Sequence, residues 1–170
     1  MIGSAKALAI CGPKKCGKTS LICRLVAELS QRQLRVAVMK HAPHLHVLDV
    51  PATDTDRFRL AGAAATLLVT PGGWALHTYE KPPLESLWQY LGWADHVLLE
   101  GFGSSPLPKL VLRPSLDPSY AASLDPATVL GILDDPGRLP PGLFPDARLR
   151  LTPEAVDVLL HWIITDFLAR

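Results

Sequence analysis

Nothing in this 170-residue chain approaches the roughly 18 consecutive apolar residues that a membrane-spanning helix needs. Charge imbalance is missing too. Lys plus Arg number 17 and Asp plus Glu 16, for a formal net charge of +1, so neither nucleic acid nor an anionic membrane has an electrostatic claim to be the main partner. Cysteine is scarce: Cys11, Cys16 and Cys23 form no Cys-x-x-Cys pair, which argues against a disulfide framework or a four-cysteine zinc site. Cys11 and Cys23 fall where core residues are expected. No charged n-region with a long apolar stretch precedes the first strand, so the expected location is the cytoplasm. Gly-x-Ser-x-Gly and a Cys–His pair are absent, which leaves covalent catalysis without support, and no Asn-Lys-x-Asp is present to select guanine. Apolar residues make up 48% of the chain and charged residues 19%, enough to expect one folded domain over residues 1–170.

The most informative stretch lies near the N-terminus. An apolar run, Ala7 to Cys11, leads into Gly12-x-x-x-x-Gly17-Lys18-Thr19 and then a helical pattern. By chance these four fixed positions recur in roughly one chain of this length in a few hundred. The flanking strand and helix make accident rarer still, and they give the P-loop pattern its physical meaning. Gly12 and Gly17 let the backbone curl so that N–H groups converge on a phosphate, and the helix adds its positive end. Gly12, Pro13, Lys14, Lys15, Cys16, Gly17, Lys18, Thr19 and Ser20 are therefore the expected phosphate-binding residues. Lys18 would reach the terminal phosphates, and the Thr19 hydroxyl would ligate Mg²⁺.

Further along, apolar runs at 35–40, 65–70, 97–100, 109–112 and 128–133 read as strands, and Trp74 to Tyr79 alternates as a hairpin partner or edge strand would. The first helix should run from about Lys18 to Gln31. A short one opens at Asp54, with Asp54 as N-cap and Gly62 as C-cap. Another runs from the Pro82-Pro83 pair to Leu91. The last has Thr152 as N-cap and Pro153 at its first position, and buries Val156, Leu159, Leu160, Ile163 and Phe167. Strands alternating with helices predict an α/β, three-layer P-loop NTPase fold around a mostly parallel sheet.

Two sources of acid could complete a Mg²⁺ site. The strand Val97 to Glu100 looks like a Walker B element, and Glu100 would stand at the carboxyl edge of the sheet, where such folds bind ligands. Asp54 and Asp49, in or after the long loop over 42–53, could orient Mg²⁺ or a water. Asp95 lies at the wrong end of its strand. Arg57 and Arg59 suit phosphate. His41, His44 and His46 beside Asp49 raise a transition-metal alternative. Leu133-Asp134-Asp135, at the end of a late strand, stands where an Asp could accept from a guanine base.

In this order, these segments resemble the MobB family, the molybdopterin-guanine dinucleotide biosynthesis protein B. The resemblance rests on the P-loop, the Lys40-His41 strand end with His44 and Asp49 beyond it, and Asp54-Thr-Asp-Arg57-Phe-Arg59-Leu-Ala61-Gly62-Ala63. Asp95 to Phe102 and Lys109 to Arg113 extend it, so it covers about two-thirds of the chain. It departs at Ala52 and Thr53, where Gly-Lys is usual, and at Pro43, where a further His is common. The resemblance implies GTP as ligand, Mg²⁺, weak GTP hydrolysis, a homodimer and service to a MobA-type guanylyltransferase, with molybdopterin a further candidate ligand. It also implies that Asp54 and Glu100 act on Mg²⁺ or water and that His41, Arg57, Arg59 and Lys109 line the site. Two other readings compete with it: a P-loop kinase for a small molecule, and a metallochaperone in which nucleotide gates a metal on the three histidines.

Overall fold

The computed structural model describes residues 6–42, 50–80, 82–135, 137–138 and 142–168. They divide into two compact units, one made of residues 1–41 and 90–170 and the other of residues 42–89.

The first unit is built on a six-stranded, all-parallel sheet. Its strands are β1 (Lys6–Cys11), β2 (Val36–Lys40), β5 (His96–Glu100), β6 (Lys109–Leu112), β7 (Val129–Leu133) and β8 (Leu149–Leu151), in the order β2-β5-β1-β6-β7-β8. The numbers β3 and β4 belong to the second unit. Continuous apolar runs fit strands covered on both faces, and in β1, β5 and β6 nearly every residue is buried. On one face Leu8, Ile10, Leu98, Leu110 and Leu112 pack with Leu21, Ile22, Leu25 and Leu29 of α1 (Lys18–Gln31), and with Leu159, Leu160 and Ile163 at the C-terminal end of the chain. That terminal helix starts later than predicted. Residues 153–155 form a turn, with the Ala155 N–H donating to Thr152 O, and the α-helix covers Val156–Trp162 before widening into a π-turn over Ile163–Phe167. The expected apolar face is nevertheless the one that packs. Cys11 is fully buried, whereas Cys23 is exposed, because it sits on the outer face of α1 between Ile22 and Arg24.

The second unit holds helix α2 (Asp54–Leu60), an antiparallel pair β3 (Ala65–Thr70) and β4 (Gly73–Thr78), and a short helix α3 (Leu84–Leu87). The hairpin alternative for Trp74 onward is therefore the one realised. The N-cap of α2 is Thr53, not Asp54: the Thr53 hydroxyl accepts from the Asp56 N–H at 3.4 Å, and the buried Asp56 carboxylate reaches back to the Ala52 N–H at 3.0 Å. Asp56 is held below the usual carboxylate range, chiefly by Arg59. Gly62 ends the helix as expected, in the left-handed region, with its N–H on Arg59 O and that of Ala63 on Phe58 O. The helix after Pro83 is one turn followed by a 3-10 turn over Trp88–Tyr90, since Leu84, Leu87 and Trp88 are only half-buried and hold no longer element. Among the described residues, no helix is long and apolar enough to cross a membrane.

At the amino edge of the sheet, Arg35 and Asp95 clamp β2 to β5 through bonds of 2.7, 3.2 and 2.9 Å, which hold the Asp95 carboxyl down at about 2. Next to it, buried His96 has an Nδ1 with no hydrogen-bond partner among the described residues. Burial first, and then Lys6, lower its pKa against the smaller opposing pull of Asp95. The native state thus disfavours the imidazolium, and stability should be full above the unfolded pKa of about 6.5 and fall as the pH drops below it. Urea midpoints measured from pH 7 to pH 5 should decline, and the decline should be smaller in His96→Leu.

Candidate functional site

The loop after β1 is shaped by two glycines. Gly12 has φ +144°, and a Cβ there would lie 2.3 Å from Leu112 O. Gly17 has φ +95° and forms the N-cap of α1 without any side-chain cap, so its own helix leaves first-turn N–H groups free for an anion. Lys15, exposed at the loop's crest, also takes a positive φ of 60°. Strain of this kind in a non-glycine residue gathers at ligand sites. Lys18 folds its Nζ back onto the carbonyls of Gly12 at 3.0 Å and Pro13 at 2.5 Å, with Cys16 Sγ at 3.7 Å. Cys16 itself is buried and belongs to the core beneath the loop.

Parallel register brings the carboxyl ends of β1, β2 and β5 side by side, with Ile10 opposite Glu100 and Lys40 opposite Glu100 on its other flank. The Thr19 hydroxyl donates to Glu100 Oε2 at 3.0 Å, and Lys40 Nζ lies 3.2 Å from Oε1. A hydroxyl and a carboxylate converging after a phosphate loop form a hard-oxygen pair of the kind that suits a small divalent cation. His41 follows directly. Its N–H donates to Glu100 O at 3.0 Å, and its ring rests against Phe102 with centroids 5.4 Å apart. Gly12 to Ser20, Glu100, Lys40 and His41 thus meet at one edge of the first unit.

Lys109, Asp134 and the charged residues of α2 have partners of their own. Lys109 is completely buried near the start of β6. Its Nζ donates to the carbonyl of Ser105, to that of Leu107 at 3.0 Å and to the Thr128 hydroxyl at 2.8 Å, so all three N–H groups are occupied and hold the 105–109 turn. Burial lowers its pKa, with Cys11 and Asp125 opposing. Asp134 accepts from the Ser115 N–H at 2.7 Å, the Ser115 hydroxyl at 2.6 Å and the Asp135 N–H at 2.8 Å, and Asp135 faces Arg138 at 3.2 Å. Asp54, Arg57 and Arg59 lie in the second unit. There Arg57 stands 3.6 Å from Asp54, which is largely exposed, and Arg59 pairs with Asp56 at 2.6 Å. His44, His46 and Asp49 lie outside the described residues.

Two contributors escaped the sequence reading. Lys40 was read only as a strand end, and its tie to Glu100 needs the β2–β5 register, which no local pattern encodes. Tyr120, on the short helix α4 (Pro118–Ala122), accepts from the Gly12 N–H at 3.3 Å and supports the loop from behind. Its hydroxyl is pushed up to about 12, mainly by burial, so it stays protonated at neutral pH. The Asp117-Pro118 pair is a start signal for α4, but nothing in the proline-rich sequence marks Tyr120 as a partner of the loop.

Comparison with known proteins sets this edge in context. A family model described as Molybdopterin guanine dinucleotide synthesis protein B matches residues 7–135. The chain is 38% identical over 112 residues to a molybdopterin-guanine dinucleotide biosynthesis adapter protein of Haemophilus influenzae, covering 62% of each. It is 37% identical over 103 residues to the protein of that name in Escherichia coli, covering 56% of this chain and 58% of the relative. The match therefore spans about 60% of the length of these curated relatives. Among solved structures, a MobB protein homolog from Bacillus stearothermophilus superposes with a TM-score of 0.69 at 23% identity, over 96% of this chain and 99% of that one. The hydrogenase maturation factor HypB from Archaeoglobus fulgidus superposes with a TM-score of 0.53 at 13% identity, over 95% and 88%. These two likenesses show the fold, a P-loop NTPase fold.

Proposed function

The chain belongs to the molybdopterin guanine dinucleotide synthesis protein B family, and from that premise we propose that it is a GTP-binding adapter in molybdenum cofactor biosynthesis. In this reading it holds GTP with Mg²⁺ and assists a MobA-type guanylyltransferase, as a homodimer in the cytoplasm, with molybdopterin as a further candidate ligand. The observation that carries the nucleotide part is the convergence of Thr19 and Glu100, 3.0 Å apart, beside the Gly12–Thr19 loop. Both are oxygen donors that would hold Mg²⁺, and the ion would supply positive charge against a bound triphosphate. Lys18 would exchange its carbonyl partners for phosphate oxygens. In the same reading hydrolysis is weak, because a Glu100 carboxylate given over to Mg²⁺ is a poor acceptor for the proton of an attacking water. Lys109 supports the strand turn beside the loop rather than the phosphates.

Titration with GTP and ATP, each with and without Mg²⁺, tests the ligand. GTP should bind more tightly, and a tenfold preference for ATP would overturn the assignment. Addition of the protein to a MobA-type enzyme with molybdopterin tests the adapter role. The yield of guanine dinucleotide cofactor should rise, and an unchanged yield refutes it.

A further inference from the structure

The carboxylate best placed to take a metal already has a cation on it. Lys40 and Glu100 are the last residues of adjacent parallel strands, directly opposite in register. The Lys40 ammonium lies 3.2 Å from Oε1 of a Glu100 side chain that is only 13% exposed, while its own side chain is 61% exposed. Oε2 is taken by Thr19. A divalent ion that ligates this carboxylate must either displace the ammonium or share the carboxylate with it, and the second option sets like charges against each other. The lysine, by contrast, loses little when it leaves, because its flexible stem already reaches water.

We propose that Lys40 is a built-in competitor for the metal at Glu100, so that the cation is admitted together with phosphate rather than before it. A bound triphosphate offers Lys40 new oxygen acceptors at the same sheet edge and frees Oε1. Metal and nucleotide therefore strengthen each other's binding by more than their direct contact supplies. By linkage the effect is reciprocal. The inference rests on the Thr19–Glu100 metal reading, and its size is bounded by the strength of a half-exposed ion pair. Such pairs correspond to a factor of up to about five in affinity, and removal of the like charge adds to it.

Mn²⁺ titrated into the nucleotide-free protein, followed by paramagnetic relaxation of water protons, reads this directly. Lys40→Met should bind Mn²⁺ about three- to tenfold more tightly than the unaltered chain, and the factor by which Mg²⁺ raises GTP affinity should shrink to the same degree. Lys40→Arg, which keeps the charge, should behave as the unaltered chain does. A purely structural role would instead shift the melting temperature of Lys40→Met and leave both ratios alone. Equal or weaker Mn²⁺ binding by Lys40→Met overturns the proposal while the metal reading stands, provided that Glu100→Gln abolishes Mn²⁺ binding. Mn²⁺ binding that survives Glu100→Gln overturns both.

Discussion

Gly12→Ala should remove nucleotide binding and lower the melting temperature by more than about 10 °C. The added methyl group would stand 2.3 Å from Leu112 O and 2.8 Å from Cys16 Sγ, at a φ of +144°. The carbonyl belongs to the end of β6, which is paired on both sides, with β1 and with β7, so it cannot retreat without loosening two ladders. Overpacking against backbone together with a disallowed φ costs about 4 kcal/mol or more. The Gly12 N–H, now bonded to Tyr120, would turn away as well. Gly92→Ala is the matched control. Its methyl group would meet nothing within 4 Å, and Gly92 has no positive φ, so both readouts should stay near those of the unaltered chain. Thermal melts and GTP titration on the two variants decide the matter.

Lys18→Ala should weaken triphosphate binding by about 100-fold, the equivalent of about 3 kcal/mol for charge-assisted bonds to phosphate. Stability should change far less. Among the described residues the Lys18 ammonium is bonded to carbonyls of its own loop and to Cys16, so truncation removes no tie between elements there. A nucleoside without phosphates should bind both forms alike. Lys18→Arg should not restore affinity, because a planar guanidinium cannot place one point charge between two phosphates. Isothermal titration of the triphosphate, diphosphate and nucleoside series separates this role from a general loosening of the loop.

The sheet was largely legible from the chain. β1, β2, β5, β6 and β7 are short apolar runs bounded by glycine, proline or charge, and their observed ends fall within a residue or so of the predicted ones. The α1 boundaries were equally clear, because Gly17 and the Leu21, Leu25, Leu29 face fix them. The proline-rich second half was less readable. Three-residue β8 exists because Gly131 to Leu133 offer it an open edge, and the five residues of α4 because Asp117 caps them through the Tyr120 N–H. β8 depends on a strand earlier in the chain, and α4 on one cap and the proline after it rather than on any periodicity. The site divides in the same way. A strand-loop-helix pattern announces Gly12 to Thr19, and an acid at a strand end announces Glu100. The occupied ammonium of Lys109, the saturated carboxylate of Asp134 and the pairing of Lys40 with Glu100 are tertiary facts, invisible until the strand order is known.

That strand order also constrains how the chain can assemble. β1 precedes every other described strand, yet its two neighbours in the sheet are β5 and β6, whose residues follow it by roughly 90 to 100 positions. Until His96–Leu112 have left the ribosome, the strand that leads into the phosphate loop has no strand partner on either side, and α1 alone is at hand to cover Leu8 and Ile10. Pairings of such separation are slow to form and leave apolar strands exposed meanwhile. A nascent chain that stops short of β5 carries every residue of the loop, yet it lacks the two flanking strands that hold the loop's shape.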